Sequence, residues 1–179
     1  MGAGGGFWEI SFGAAVDALT FYLVELDAGL LNEIEIRAGI RFFEKQNGRP
    51  VRSAFVPAIG TPTEVPLPEL LADKVLLLNS LHEFTEPTAM LSECFRLLKP
   101  GGYLFVEEAL AQYVGQRHEG CGRYLFSEEG LRAMAVRAGF RYLTDQSRDG
   151  SAFWKVFTFE KPSRVLRQAQ RDNFIYHKK

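Results

Sequence analysis

The chain has 179 residues, 46% hydrophobic and 24% charged, enough for one globular domain with a core that needs no disulfide or metal. A net charge of −1 gives no case for nucleic-acid binding by the molecule as a whole, and two cysteines, Cys94 and Cys121, make no disulfide framework. The densest aliphatic run, Val75–Leu78, is far too short to cross a membrane, and the glycine-rich start is not a signal peptide, so a cytoplasmic location is expected.

In chain order, residues 2–6 are a glycine cluster. Residues 7–18 read as a helix with Phe7, Ile10 and Ala14 on one face, although Gly13 weakens it. Residues 19–26 (LTFYLVEL) have strand length and β-branched and aromatic content, and they end in acid. Residues 30–46 favour a helix interrupted by Gly39, and Asn47-Gly48 marks a turn. Residues 51–57 alternate like a strand, and 60–69 hold three prolines and read as loop. Residues 74–80 (KVLLLNS) form the continuous apolar run of a strand buried on both faces. A helix is expected over 87–98, with Pro87 in its first turn and Met90, Leu91, Cys94, Phe95 and Leu98 on one face. Lys99-Pro100-Gly101-Gly102 is read as the turn that ends it, before a strand over 103–107. Residues 110–126 are irregular. Ser127 caps a helix to about residue 138, and 140–144 and 153–160 are the last two strands, joined antiparallel. The tail from 161 carries Lys161, Arg164, Arg167, Arg171, Lys178 and Lys179 against Asp172, and reads as a solvated basic extension.

Strands alternating with helices imply a doubly wound, mostly parallel sheet. Four segments carry chemistry. Gly2-Ala3-Gly4-Gly5-Gly6 places glycines at the first, third and fifth positions before a helix, so the backbone can turn tightly and approach a ligand closely. A dinucleotide motif would need glycine where Phe7 stands, which disfavours a nicotinamide dehydrogenase. Val24-Glu25-Leu26-Asp27 ends a strand about 20 residues later, the separation expected of a carboxylate that accepts from ribose hydroxyls, with Glu25 and Asp27 as candidates. The third segment, Gly60–Phe84, joins a proline-rich loop to the apolar strand and Leu81-His82-Glu83-Phe84. The fourth is Leu97-Leu98-Lys99-Pro100-Gly101-Gly102-Tyr103-Leu104.

In this order and spacing the four segments, over residues 2 to about 162, resemble class I S-adenosylmethionine-dependent methyltransferases. The resemblance implies a Rossmann-like α/β domain over 1–162 and a basic tail over 163–179. It implies a sheet in the family's order 3-2-1-4-5-7-6 with one antiparallel strand near its end. Only Met1 precedes the glycines, so the family's first strand is expected to be truncated or absent. Three accounts of that start compete: a misplaced or cut beginning, a strand supplied from elsewhere, or a degenerate relative. The implied cofactor is S-adenosylmethionine, held by Gly2, Ala3, Gly4 and Gly6, by Glu25 on the ribose, by Leu26, by Thr61 and Pro62 near adenine, and by Asn79. Glu25 matches the family pattern better than Asp27. Thr61 stands where the family usually has an acid, although a hydroxyl also accepts.

Asn79, His82 and Glu83 at the end of the family's fourth strand are candidates for the reaction centre, and His82 titrates in the range suited to proton transfer. In the 110–126 loop, Tyr113, Arg117, His118, Cys121 and Tyr124 are candidates to face substrate. His118 and Cys121 offer two ligands at best, too few for zinc, so no metal is expected. The expected function is methyl transfer to a small-molecule acceptor, since no substrate-recognition domain is appended. The alternative is a non-catalytic binding or scaffold relative. An RNA methyltransferase using the tail would require strongly salt-dependent RNA binding. No membrane or nucleic-acid partner is expected, and a homodimer is left open.

Overall fold

The structure is a computed structural model that describes residues 1–163. The basic tail expected over 163–179 therefore lies, from residue 164 onward, outside the described residues. The chain divides into two compact units, Met1–Leu67 and a second beginning at Pro68.

The first unit holds α1 (Phe7–Ala15), β1 (Thr20–Glu25), α2 (Glu33–Asn47) and β2 (Ala54–Ile59). β1 and β2 pair in parallel from Thr20–Ala54 to Glu25–Ile59, with α2 as the crossover that a parallel pair requires. Ile10, Ala14, Leu23, Leu31, Ile36 and Phe43 form the core. Phe7, expected on the buried face of α1, is instead exposed. α2 starts later than expected because Asn32 caps it, accepting from the Ile34 and Glu35 N–H groups at 3.0 and 3.1 Å.

β2 begins at Ala54 rather than 51, because the residues before it are spent on other bonds. Val51 N–H donates to the Glu44 carboxylate at 3.1 Å. The Ser53 hydroxyl accepts from Leu19 N–H at 3.3 Å and donates to the Val16 carbonyl at 2.9 Å. Alternation in the sequence there marks a junction, not a ladder.

The second unit holds β3 (Ala72–Leu78), a single 3-10 turn (Leu81–Glu83), α3 (Pro87–Leu97), β4 (Leu98–Ala109), α4 (Glu128–Arg137), β5 (Arg141–Ser147) and β6 (Trp154–Glu160). Its sheet runs β3-β4-β6-β5, with β3 parallel to β4 and β6 antiparallel to both neighbours. Leu77, Leu91, Leu104, Leu131, Phe157 and Phe159 are fully buried around it.

Two readings of this region need correction. Lys99–Gly102 does not precede the strand. β4 starts at Leu98, paired with Ala72, and the Lys99–Gly102 segment sits inside it as an irregularity of register. Gly101 takes a left-handed φ of 80° and its N–H donates to the Lys161 carbonyl at 2.8 Å. Lys161, grouped above with the solvated tail, is buried. Its ammonium donates to the Phe95 and Leu98 carbonyls at 2.6 and 2.7 Å, which closes the C-terminal end of α3. Among the described residues, no helix is long and apolar enough to cross a membrane.

Candidate active site

In the first unit the glycine cluster is a turn built from left-handed residues: φ is 68° at Gly2, 51° at Gly4 and 78° at Gly6. Only glycine takes such angles at little cost. Gly6 N–H donates to the Ala3 carbonyl at 2.8 Å, and Ala3 N–H donates to the Val24 carbonyl on β1 at 3.0 Å. Gly6 is also the N-cap of α1, with no side chain capping the helix. A Cβ on Gly6 would lie 2.9 Å from the Leu23 side chain, whereas one on Gly4 would meet nothing within 4 Å.

Glu25 ends β1, and its carboxylate ties the turn to the strand. One oxygen accepts from Gly4 N–H at 2.8 Å, and the other from Leu26 N–H at 2.7 Å. The Glu25 carbonyl accepts from Gly60 N–H at 2.9 Å, which brings the loop after β2 to the same place. Asp27, the second candidate acid, spends one oxygen on Gly29 N–H at 2.7 Å and so closes a local turn. Thr61 is exposed, and its hydroxyl accepts from Glu64 N–H at 3.0 Å. The structure thus brings Gly4, Glu25, Leu26 and the Gly60–Thr61 loop together.

In the second unit, Asn79 follows β3 with a left-handed φ of 50°, and its buried Oδ1 has no hydrogen-bond partner among the described residues. Strained, unsatisfied positions of this kind concentrate at functional sites. His82 lies in the turn after it, with its ring wholly buried. Its Nδ1 meets the carboxylate of Glu108 on β4 at 2.7 Å. The other Glu108 oxygen accepts from Leu81 N–H at 2.6 Å and His82 N–H at 3.3 Å.

Burial opposes protonation of His82, but the bond to Glu108 and that carboxylate's charge, with a smaller contribution from Cys121, outweigh it and raise the imidazole pKa above its ordinary value. With Nδ1 facing Glu108, the remaining ring nitrogen is Nε2, which is buried and has no hydrogen-bond partner among the described residues. Glu83, the neighbouring candidate, is more than half exposed, with its carboxylate 4.0 Å from Nε2.

The irregular segment before α4 doubles back on itself. His118 N–H donates to the Arg123 carbonyl and Gly122 N–H to the His118 carbonyl, both at 2.8 Å. Arg117 stacks on the Tyr124 ring 3.8 Å from its centroid. This loop presents the His118 ring 4.7 Å from the ring of His82, and puts Cys121 Sγ 3.4 Å from His118 Nδ1. Tyr113 and Tyr124 are exposed. Glu108 was not foreseen from the sequence. Its only signal there is the acid pair Glu107-Glu108 at the end of an apolar strand.

The family model of a methyltransferase domain matches residues 1–106. No curated protein matches the chain significantly. Among solved structures, an S-adenosylmethionine-dependent methyltransferase from Aquifex aeolicus is 18% identical, with 89% of this chain and 79% of that one covered and a TM-score of 0.65. A Thermotoga maritima methyltransferase, named as a candidate histamine N-methyltransferase, is 19% identical over 90% and 79% of the two chains at a TM-score of 0.62. The cyclase SpnF is 19% identical over 90% and 74% at 0.67. At these identities the likeness is one of fold. The family model spans more than half of the chain, so the chain belongs to the methyltransferase-domain family, whose cofactor is S-adenosylmethionine.

Proposed function

We propose that this chain transfers a methyl group to a small-molecule acceptor, and that Gly2, Ala3, Gly4, Gly6, Glu25, Leu26, Thr61 and Pro62 hold the methyl donor. The observation that carries the reading is the Glu25 carboxylate bound to the glycine turn through Gly4 N–H. A carboxylate has about four acceptor positions, and the main chain takes two of them here, leaving the others for the vicinal hydroxyls of a ribose. The space above Gly4 is open while its φ demands glycine, so bare backbone stands beside a fixed negative charge.

When bound, S-adenosylmethionine supplies a methyl group on a sulfonium, an already good leaving group. The task left to the protein is to orient the acceptor and exclude water. An acceptor with a free lone pair needs no base, so the reading does not depend on proton transfer by Asn79 or His82, which are proposed to face substrate in the second unit. A small amine in its neutral form fits this description, and the Thermotoga relative is named for a small amine. The cyclase SpnF shares the fold, so a test must read cofactor binding itself.

Calorimetric titration with S-adenosylhomocysteine provides it. The unmodified chain is expected to bind, and Glu25→Ala to bind at least about tenfold more weakly, the loss of charge-assisted bonds worth roughly 1.5–3 kcal/mol. Equal affinity in the two proteins would remove Glu25 from the site. No binding by either would favour the scaffold alternative.

A further inference from the structure

We infer that His82, His118 and Cys121 form a zinc site with one open coordination position. This inference stands on the second unit alone and does not rest on the proposed methyl transfer. The loop by itself offers only His118 and Cys121, three residues apart, which is too few ligands. The fold supplies the third: one ligand atom from each of the three residues lies within 4.8 Å of the other two.

Three further observations point to an ion. Among the described residues, His82 Nε2 has no hydrogen-bond partner, and its ring has no exposed surface. Leaving such an acceptor unpaired costs about 1–3 kcal/mol, and a metal would satisfy it. Next, Nδ1 of the same ring is held at 2.7 Å by a fully buried carboxylate that is itself anchored on Leu81 and His82 N–H groups. That carboxylate–histidine arrangement orients ligating imidazoles in metal sites and fixes the tautomer that leaves Nε2 as the donor. Finally, the loop carrying the other two ligands is cross-bonded at His118, Gly122 and Arg123, so it presents them from a set backbone.

Two imidazoles and one thiolate suit zinc, and three protein ligands with a vacant fourth position is the pattern of reactive rather than structural zinc. Ligand atoms around a tetrahedral ion stand roughly 3.5 Å apart. Bringing the three atoms to that spacing requires rotation of the half-buried His118 and the exposed Cys121 side chains, not of the buried His82. Binding would release the Cys121 thiol proton and withdraw His82 Nε2 from proton transfer. The open position would take water or a soft donor such as a small thiol.

The test uses the full, untagged chain, stripped with chelator and titrated with Co²⁺. The proposal expects one equivalent bound, with visible d–d bands, a near-ultraviolet thiolate-to-cobalt band, and displacement by Zn²⁺. Cys121→Ser should abolish the thiolate band, and His118→Ala should weaken binding at least about tenfold, with circular dichroism of each variant as the fold control because His118 is half-buried against His82. Glu108→Gln, read the same way with circular dichroism as the fold control, should cost about 10–100-fold in metal affinity. Absence of stoichiometric cobalt binding would overturn the proposal, as would a spectrum and affinity unchanged in Cys121→Ser and His118→Ala.

Discussion

Asp145 shows how one carboxylate couples three elements of the second unit, α4, β5 and β6. It accepts from the Tyr142 hydroxyl, lies 3.0 Å from the Lys155 ammonium, and pairs with Arg132. The tyrosine bond, then Lys155 and Arg132, outweigh burial and hold its pKa down to about 2. A folded pKa below the unfolded value means stability present above the ordinary carboxylate range and lost as pH falls toward 2. Urea denaturation at pH 5 and at pH 3 should therefore show a drop in stability of about 1–2 kcal/mol that Asp145→Asn largely removes. An identical drop in the variant would place the acid sensitivity elsewhere. At this same scale the sequence was legible where neighbours are close along the chain. Glu25 stands out because it ends an apolar run at the right distance from the glycines. Glu108 does not, because its partner His82 is 26 residues away and only parallel pairing of β3 with β4 brings them together.

Among the elements, α3 and α4 were readable because apolar residues recur at helical spacing and Pro87 and Ser127 mark their starts. Strand starts were less so. At 51–53 side-chain capping bonds compete with the ladder, and at 98–102 the chain passes from helix to strand with no turn between. Gly13 and Gly39 were weighed as helix weakeners, but both lie within helices whose neighbours leave no room for a Cβ: Phe55 at 2.5 Å and Ile10 at 2.7 Å. Lys161 was misjudged because charge alone suggests solvent, whereas its ammonium takes two carbonyls at the end of α3. Lys161→Met keeps the stem and deletes those bonds. It should destabilise the protein by about 2 kcal/mol in thermal or urea unfolding. A change within a few tenths of a kcal/mol would mean that water replaces the ammonium there.

At the level of the whole molecule, the four ordered segments, from the glycine turn and the acid-ended strand to the proline-bounded buried strand and Leu97–Leu104, were enough to name the family from the sequence. What one-dimensional pattern could not supply is the pairing of distant polar groups, since periodicity reports burial and not partners. The central claim is that the glycine turn and the Glu25 carboxylate receive the nucleoside of the cofactor. Amide chemical-shift mapping of the isotope-labelled chain during titration with S-adenosylhomocysteine tests it most directly. Saturable shifts centred on Gly4, Gly6, Glu25, Leu26 and Thr61 are predicted; saturable binding that leaves those amides unmoved, or no binding at all, would contradict it.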